Sequence, residues 1–272
     1  LLTLSDNLFL IQSFSPGEGK TRKMAKGLIL CHQDKNFFGE AAGFGLPVIK
    51  TKNQTIFPSL FSTTRHKSGS VEVVYHLNLI NTWNIAGITA QALFSGFMEK
   101  IVNVYMNRPK LQSFGLNIRN RLFKFFKIQN TMTPGKSFGY CRVIYQTNNL
   151  QLKISVNSQE LKNPGELILL NEVPGIDFTQ MITIKNNERK ILYGKDFLPW
   201  QTCDMETAVE NPGLHLGFFL TLPDNQTRSC FNFAAGREVG HDLNWAGLSL
   251  VTDSDKFTYF VNFYQESLKT SS

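Results

Sequence analysis

Nine residues, 237 to 245, hold the densest side-chain chemistry in the chain: Arg237-Glu238-Val239-Gly240-His241-Asp242, then Asn244 and Trp245. They offer a guanidinium, two carboxylates, an imidazole, an amide and an indole. A sugar site needs such a mixture, because bidentate polar groups take hydroxyls and a flat aromatic face takes the ring. Glu238 and His241 are also types that act as general acid and base at neutral pH. A charged loop between two strands has the same composition, and a buried Arg237–Glu238 pair is structural as often as functional.

Two further places could supply chemistry. Asp204 and Glu206 alternate with Cys203, Met205 and Thr207 in a stretch that reads as a strand over Thr202–Val209. Side chains two apart on a strand share a face, about 6.5 to 7 Å from Cα to Cα. Such a pair suits acid and base around a glycosidic bond, two ligands for a hard cation, or a plain solvent face. His215 opens the most apolar run, Leu214–Leu222, where a lone His serves more often as a hydrogen-bonded core residue than as a catalyst. The segment Gly213-Leu214-His215-Leu216-Gly217-Phe218-Phe219, with Leu222-Pro223-Asp224 beyond it, resembles sugar mutarotases of the supersandwich fold. Leu216 stands where that family has Pro after its His, so the activity is not carried over.

Other chemistries find no support. Ser15-Pro16-Gly17-Glu18-Gly19-Lys20-Thr21 ends like a phosphate loop, but Phe14 occupies the first position, where that loop needs Gly. A basic hairpin turn is the default. Gly-x-Ser-x-Gly does not occur. Cys31, His32, Asp34 and Glu40 lack the spacing of a metal site, and nothing points to a cofactor. Cys31, Cys141, Cys203 and Cys230 form no CxxC pair and read as thiols rather than disulfides.

Charge is distributed unevenly. Residues 100 to 159 contain no Asp or Glu but ten Lys or Arg, leaving 18 basic against 21 acidic residues elsewhere. The net +7 therefore comes from this tract. Within it, Ile118–Ile128 interleaves Arg119, Arg121, Lys124 and Lys127 with apolar residues. That pattern suits an anionic ligand or an anionic membrane surface. No recognition helix or aromatic RNA motif accompanies it, which argues against nucleic acid. No run approaches the length of about 18 apolar residues that a transmembrane helix requires.

The elements that would position these groups read as β. Short apolar runs separated by Asn-Pro-Gly, Pro-Gly, Asn-Asn and Pro-Asp-Asn signals predict an antiparallel sandwich, supersandwich-like, or two fused barrel-like halves at 1–130 and 131–272 of one large domain. Thr133-Pro134-Gly135-Lys136 reads as a turn, and Phe138–Gln146 with Leu150–Val156 as a hairpin closed at Asn148-Asn149. Leu214–Leu222, apolar on both faces, should be a central strand. One helix is expected near 90–106, from the stripe Leu93, Phe94, Phe97, Met98, Ile101, Val102 and Tyr105. The 23 Phe either fill a core or line an apolar cavity, with core the default.

Three functional expectations follow. The first is a carbohydrate-binding or carbohydrate-converting protein for an anionic sugar. Arg237, Asn244, Trp245, Arg119, Arg121 and Lys124 would bind, Trp245 or Trp200 would stack, and His241, Glu238, Asp204 or His215 would transfer protons. The second is a binder or converter of an apolar lipid or isoprenoid, and the third a noncatalytic interaction module.

Overall fold

The structure, a computed structural model, describes residues 2–14, 25–32, 35–37, 41–51, 55–66, 69–81, 84–85, 128–129, 133–162, 165–185, 188–193, 197–239 and 244–265. The chain forms two compact units. The larger comprises Leu1–Pro16, Lys23–Asn78 and Phe138–Ser272, the smaller Gly17–Arg22 and Leu79–Ser137. Most of the acid-free tract belongs to the smaller unit, where one short antiparallel pairing, Asn84–Ile85 with Ile128–Gln129, is described. The helix expected near 90–106 and the segment with Arg119, Arg121 and Lys124 lie outside the described residues.

In chain order the strands are β1 (Leu2–Ser5), β2 (Leu8–Phe14), β3 (Ala25–His32), β4 (Lys35–Asn36), β5 (Gly43–Lys50), β6 (Thr55–Ile56) and β7 (Pro58–Arg65). They continue as β8 (Val71–Asn81), β9 (Asn84–Ile85), β10 (Ile128–Gln129), β11 (Thr133–Asn148), β12 (Gln151–Asn157), β13 (Glu166–Val173) and β14 (Gln180–Lys185). The last are β15 (Glu188–Tyr193), β16 (Phe197–Thr202), β17 (Thr207–Asn211), β18 (Leu216–Thr221), β19 (Phe231–Val239), β20 (Asn244–Thr252) and β21 (Lys256–Tyr264).

The larger unit is an antiparallel β-sandwich. Its first sheet runs β1-β2-β3-β5-β13-β20-β19-β16, with β4 beside β3 and β6 beside β5. Its second runs β15-β14-β17-β18-β21-β12-β11-β8-β7. Both sheets take strands from both halves of the chain, as when β5 pairs with β13. Among the described residues there is no α-helix, and no helix long and apolar enough to cross a membrane.

Alternation builds the core. On β12 and β21, Leu152 faces Val261, Ile154 faces Tyr259 and Val156 faces Phe257, all buried, while Lys153, Ser155 and Thr258 turn the other way. From the first sheet, Phe44 meets Phe218 and Phe263 edge-on at 5.0 and 5.2 Å. The described Phe37, Phe44, Phe178, Phe218, Phe231, Phe233, Phe257 and Phe263 are all buried. As expected, β18 is central, between β17 and β21, with Leu216, Phe218 and Leu220 inward and Phe219 half-buried on the outer side.

A buried polar network ties the sheets together. Gly43 and Gly45 have φ of +78° and +72°, and the β5–β13 register slips between Leu170 and Asn171. This irregularity leaves backbone groups without ladder partners, which burial would penalise. Side chains supply them. Tyr145 Oη donates to Gly45 O at 3.1 Å, Tyr75 Oη to Lys26 O at 3.2 Å, and Gly45 N to Asn171 Oδ1 at 3.1 Å. Tyr259 Oη donates to the same Asn171 oxygen at 3.0 Å, and the Tyr75 and Tyr145 hydroxyls lie 2.9 Å apart. Burial pushes all three phenols well above their ordinary range. Gly45 is required there, since a Cβ would fall 2.8 Å from the Tyr145 ring.

Three expectations need correction. Thr133–Lys136 is the start of β11 rather than a turn; the fixed φ of Pro134 fits extended backbone as readily as a turn. Thr202–Val209 is not one strand, because β16 belongs to the first sheet and β17 to the second. The chain must cross between layers, and Cys203–Glu206 makes that crossing, with Thr207 N donating to Asp204 O at 3.1 Å. Nor does His215 open a strand. It ends the turn between β17 and β18, exposed, with φ of +49°.

Candidate functional site

The outer face of the first sheet, at its β16 edge, carries the most distinctive surface chemistry. Pairing fixes which side chains share it. Across β13, β20 and β19, Glu172 pairs with Gly247 and Gly247 with Gly236. One step along, Trp245 pairs with Glu238 on the same face. On β16 the register slips between Leu198 and Gln201, so Pro199 and Trp200 together oppose Gly236. This is a bulge on an edge strand, where Pro is tolerated and a side chain can be re-aimed.

The bulge turns Trp200 onto Trp245. Their rings stack with centroids 4.8 Å apart and planes inclined by 14°. A glycine beneath makes this possible: a Cβ on Gly236 would lie 2.9 Å from Trp245 Cη2 and 3.0 Å from Trp200 Cδ2. Stacking of this kind contributes about 0.5–1.5 kcal/mol beyond area burial. The pair is nevertheless not sealed, for Trp200 keeps 38% of its surface exposed and Trp245 is half-buried.

Glu172 lies on the other side of the glycine floor. A Cβ on Gly247 would meet its Cγ at 2.8 Å. Gly247 and Gly236 are cross-strand partners, so Glu172 and the tryptophan pair flank a floor of two glycines on the same face. Glu172 is buried, and its Oε2 accepts the Ala42 N–H at 2.8 Å. Burial pushes the carboxyl up to about 7, against the opposing pull of the Ala42 N–H and the Lys26 ammonium.

The expected residues are partly brought together. Trp200, Trp245 and Glu238 converge on this face. Arg237 does not; paired with buried Ala246, it points into the opposite face and donates from Nη2 to Gly175 O at 3.0 Å. Asn244 Oδ1 accepts the Ile176 N–H at 2.7 Å, so Arg237 and Asn244 both hold the turn after β13. Asp204 and Glu206 are exposed in the crossing to the second sheet, and His215 is exposed at a turn of that sheet. His241 lies outside the described residues, as do Arg119, Arg121 and Lys124.

Glu172 was not anticipated. Its signal was the polar pair Asn171-Glu172 inside an otherwise apolar Leu167–Val173, a place where carboxylates are rare unless partnered. A second polar group lies on the outer face of the other sheet. There Glu72 bridges His66 Nε2 at 3.0 Å and Arg142 Nη1 at 3.3 Å, and the Arg142 guanidinium sits 5.2 Å from the Tyr140 ring centroid. Such exposed pairs contribute little to stability. Among the described residues no group of three or more His, Cys, Asp or Glu could hold a metal ion, and all four cysteines are free thiols. No protein-family model, curated protein or solved structure matches the chain.

Proposed function

We propose that the protein binds a carbohydrate on the outer face of its first sheet, with the Trp200–Trp245 pair as the stacking platform. One observation carries the reading: two tryptophans, stacked 4.8 Å apart over Gly236, remain partly open to solvent. A large apolar ring left exposed by a folded chain, with polar groups at its rim, is the usual form of a ligand-contacting surface. A pyranose matches it in kind. Its C–H face is apolar and its hydroxyls project sideways, where Glu238, the cross-strand partner of Trp245, can accept them.

What is recognised at this platform is the sugar ring. A preference for anionic sugars draws only on the net charge of +7, since Arg237 is turned away from the platform. Titration calorimetry of the full chain against xyloglucan, mixed-linkage β-glucan, polygalacturonate and alginate tests both parts. The expected result is saturable binding to at least one glycan, weakened about 30-fold by Trp200→Ala or Trp245→Ala. That corresponds to the roughly 2 kcal/mol typical of losing a Trp anchor. Tighter binding to polygalacturonate or alginate, declining with salt, would support the anionic preference. Binding that ignores both substitutions would refute the platform.

A further inference from the structure

We propose that the smaller unit is a docking module for an anionic membrane surface. The inference is independent of the carbohydrate reading and rests on how the fold divides the charge. Residues Gly17–Arg22 and Leu79–Ser137 carry ten Lys or Arg and two Glu, a net of +8. The larger unit holds the remaining 18 basic and 19 acidic residues, a net of −1. The smaller unit's own acids can neutralise at most two of its ten cations, and the larger unit has almost no surplus of acid to offset the rest. The positive field of the chain therefore originates from these 65 residues, whichever way individual side chains turn.

Connectivity marks most of this unit as an addition to the sandwich. The chain leaves the second sheet after β8 and returns at β11, the strand beside β8, where a short turn would serve. Pairing of β9 with β10 closes the excursion near its two ends. Inside that closure, residues 86–127 contain 21 apolar residues out of 42, six of them Phe, together with seven Lys or Arg and the single acid Glu99. A segment of about 40 residues rarely sustains a core of its own, so this composition calls for apolar contact beyond the segment. The partner that matches both properties is a bilayer containing anionic lipid. Its headgroups take the cations, and its interfacial layer takes Phe and aliphatic side chains. Nucleic acid matches the charge alone: bases stack on aromatic rings but offer little to Leu, Ile, Val and Met.

The experiment mixes the full chain with phosphatidylcholine vesicles, with and without phosphatidylserine, at low and physiological salt, and measures bound protein by co-sedimentation. Binding is expected only where phosphatidylserine is present, and it should weaken as salt rises. Each Lys or Arg near such a surface strengthens attachment about fivefold. Arg119→Gln, Arg121→Gln, Lys124→Gln and Lys127→Gln combined should therefore weaken binding by roughly several hundred-fold. Removing the same charge from exposed positions of the larger unit, with Lys153→Gln, Lys162→Gln, Arg228→Gln and Lys256→Gln, should weaken it far less. The lipid and salt comparisons use wild type and decide the matter even where a fourfold variant fails to fold. Equal binding to both kinds of vesicle overturns the proposal, as does binding to neither, and so does an equal loss in the two fourfold variants. Duplex DNA bound more tightly than phosphatidylserine vesicles at the same salt would assign the unit to nucleic acid, and that result also overturns it.

Discussion

Replacing Glu172 by Gln should change how stability depends on pH, by an amount that follows from the site. In the fold the carboxyl is raised from 4.5 to about 7, chiefly by burial. The fold therefore holds the Glu172 proton more tightly than the unfolded chain does. The stabilisation from this group is fully present below about 4.5 and is lost as pH rises through about 7. A shift of about 2.5 pKa units, at 1.36 kcal/mol each, amounts to about 3 kcal/mol. Gln keeps an oxygen for the Ala42 N–H and carries no charge, so the variant lacks this contribution to the slope. Urea unfolding of wild type and Glu172→Gln at pH 4 and pH 8 reads the effect. Other titrating groups are common to both chains and cancel in the difference. The variant should gain about 3 kcal/mol relative to wild type between the two pH values. A difference that stays constant would show that Glu172 titrates normally in the fold, and the description of its site would be wrong.

Three further outcomes are expected. Gly236→Ala should push Trp245 and Trp200 apart, since its Cβ would lie 2.9–3.0 Å from their rings; glycan binding by calorimetry should weaken while both indoles remain. Tyr145→Phe removes the donor to Gly45 O and the partner of Tyr75 Oη, and thermal unfolding should show a loss of about 1–3 kcal/mol for the buried groups left unpaired. In the native protein an aromatic disulfide reagent should label exposed Cys230 first, while Cys141, buried and pushed up to about 12, should react only after unfolding.

The β class was legible because it depends on local alternation and turn chemistry. Leu8–Phe14 matches β2, and the hairpin closed near Asn148 pairs Asn148 with Gln151 around Asn149, whose φ is +50°. What failed was information that is not local. Nothing within Thr202–Val209 shows that its two ends belong to different sheets, so Asp204 and Glu206 read as strand neighbours. The same applies at the site. Composition gathered Arg237, Glu238 and Trp245 into one cluster, but β alternation divides them, sending Arg237 inward and leaving Glu238 with Trp245. Trp200 joins them through a bulge, and Glu172 through pairing with a strand some seventy residues away, neither of which composition encodes.

Saturation-transfer NMR between the full chain and an oligosaccharide of the best-binding glycan tests the central claim most directly. Irradiating protein protons should transfer magnetisation mainly to the C–H protons on one face of a pyranose, and Trp245→Ala should abolish that pattern. Transfer spread evenly over the sugar, or a pattern unchanged in Trp245→Ala, would contradict the assignment of the tryptophan pair as the carbohydrate platform.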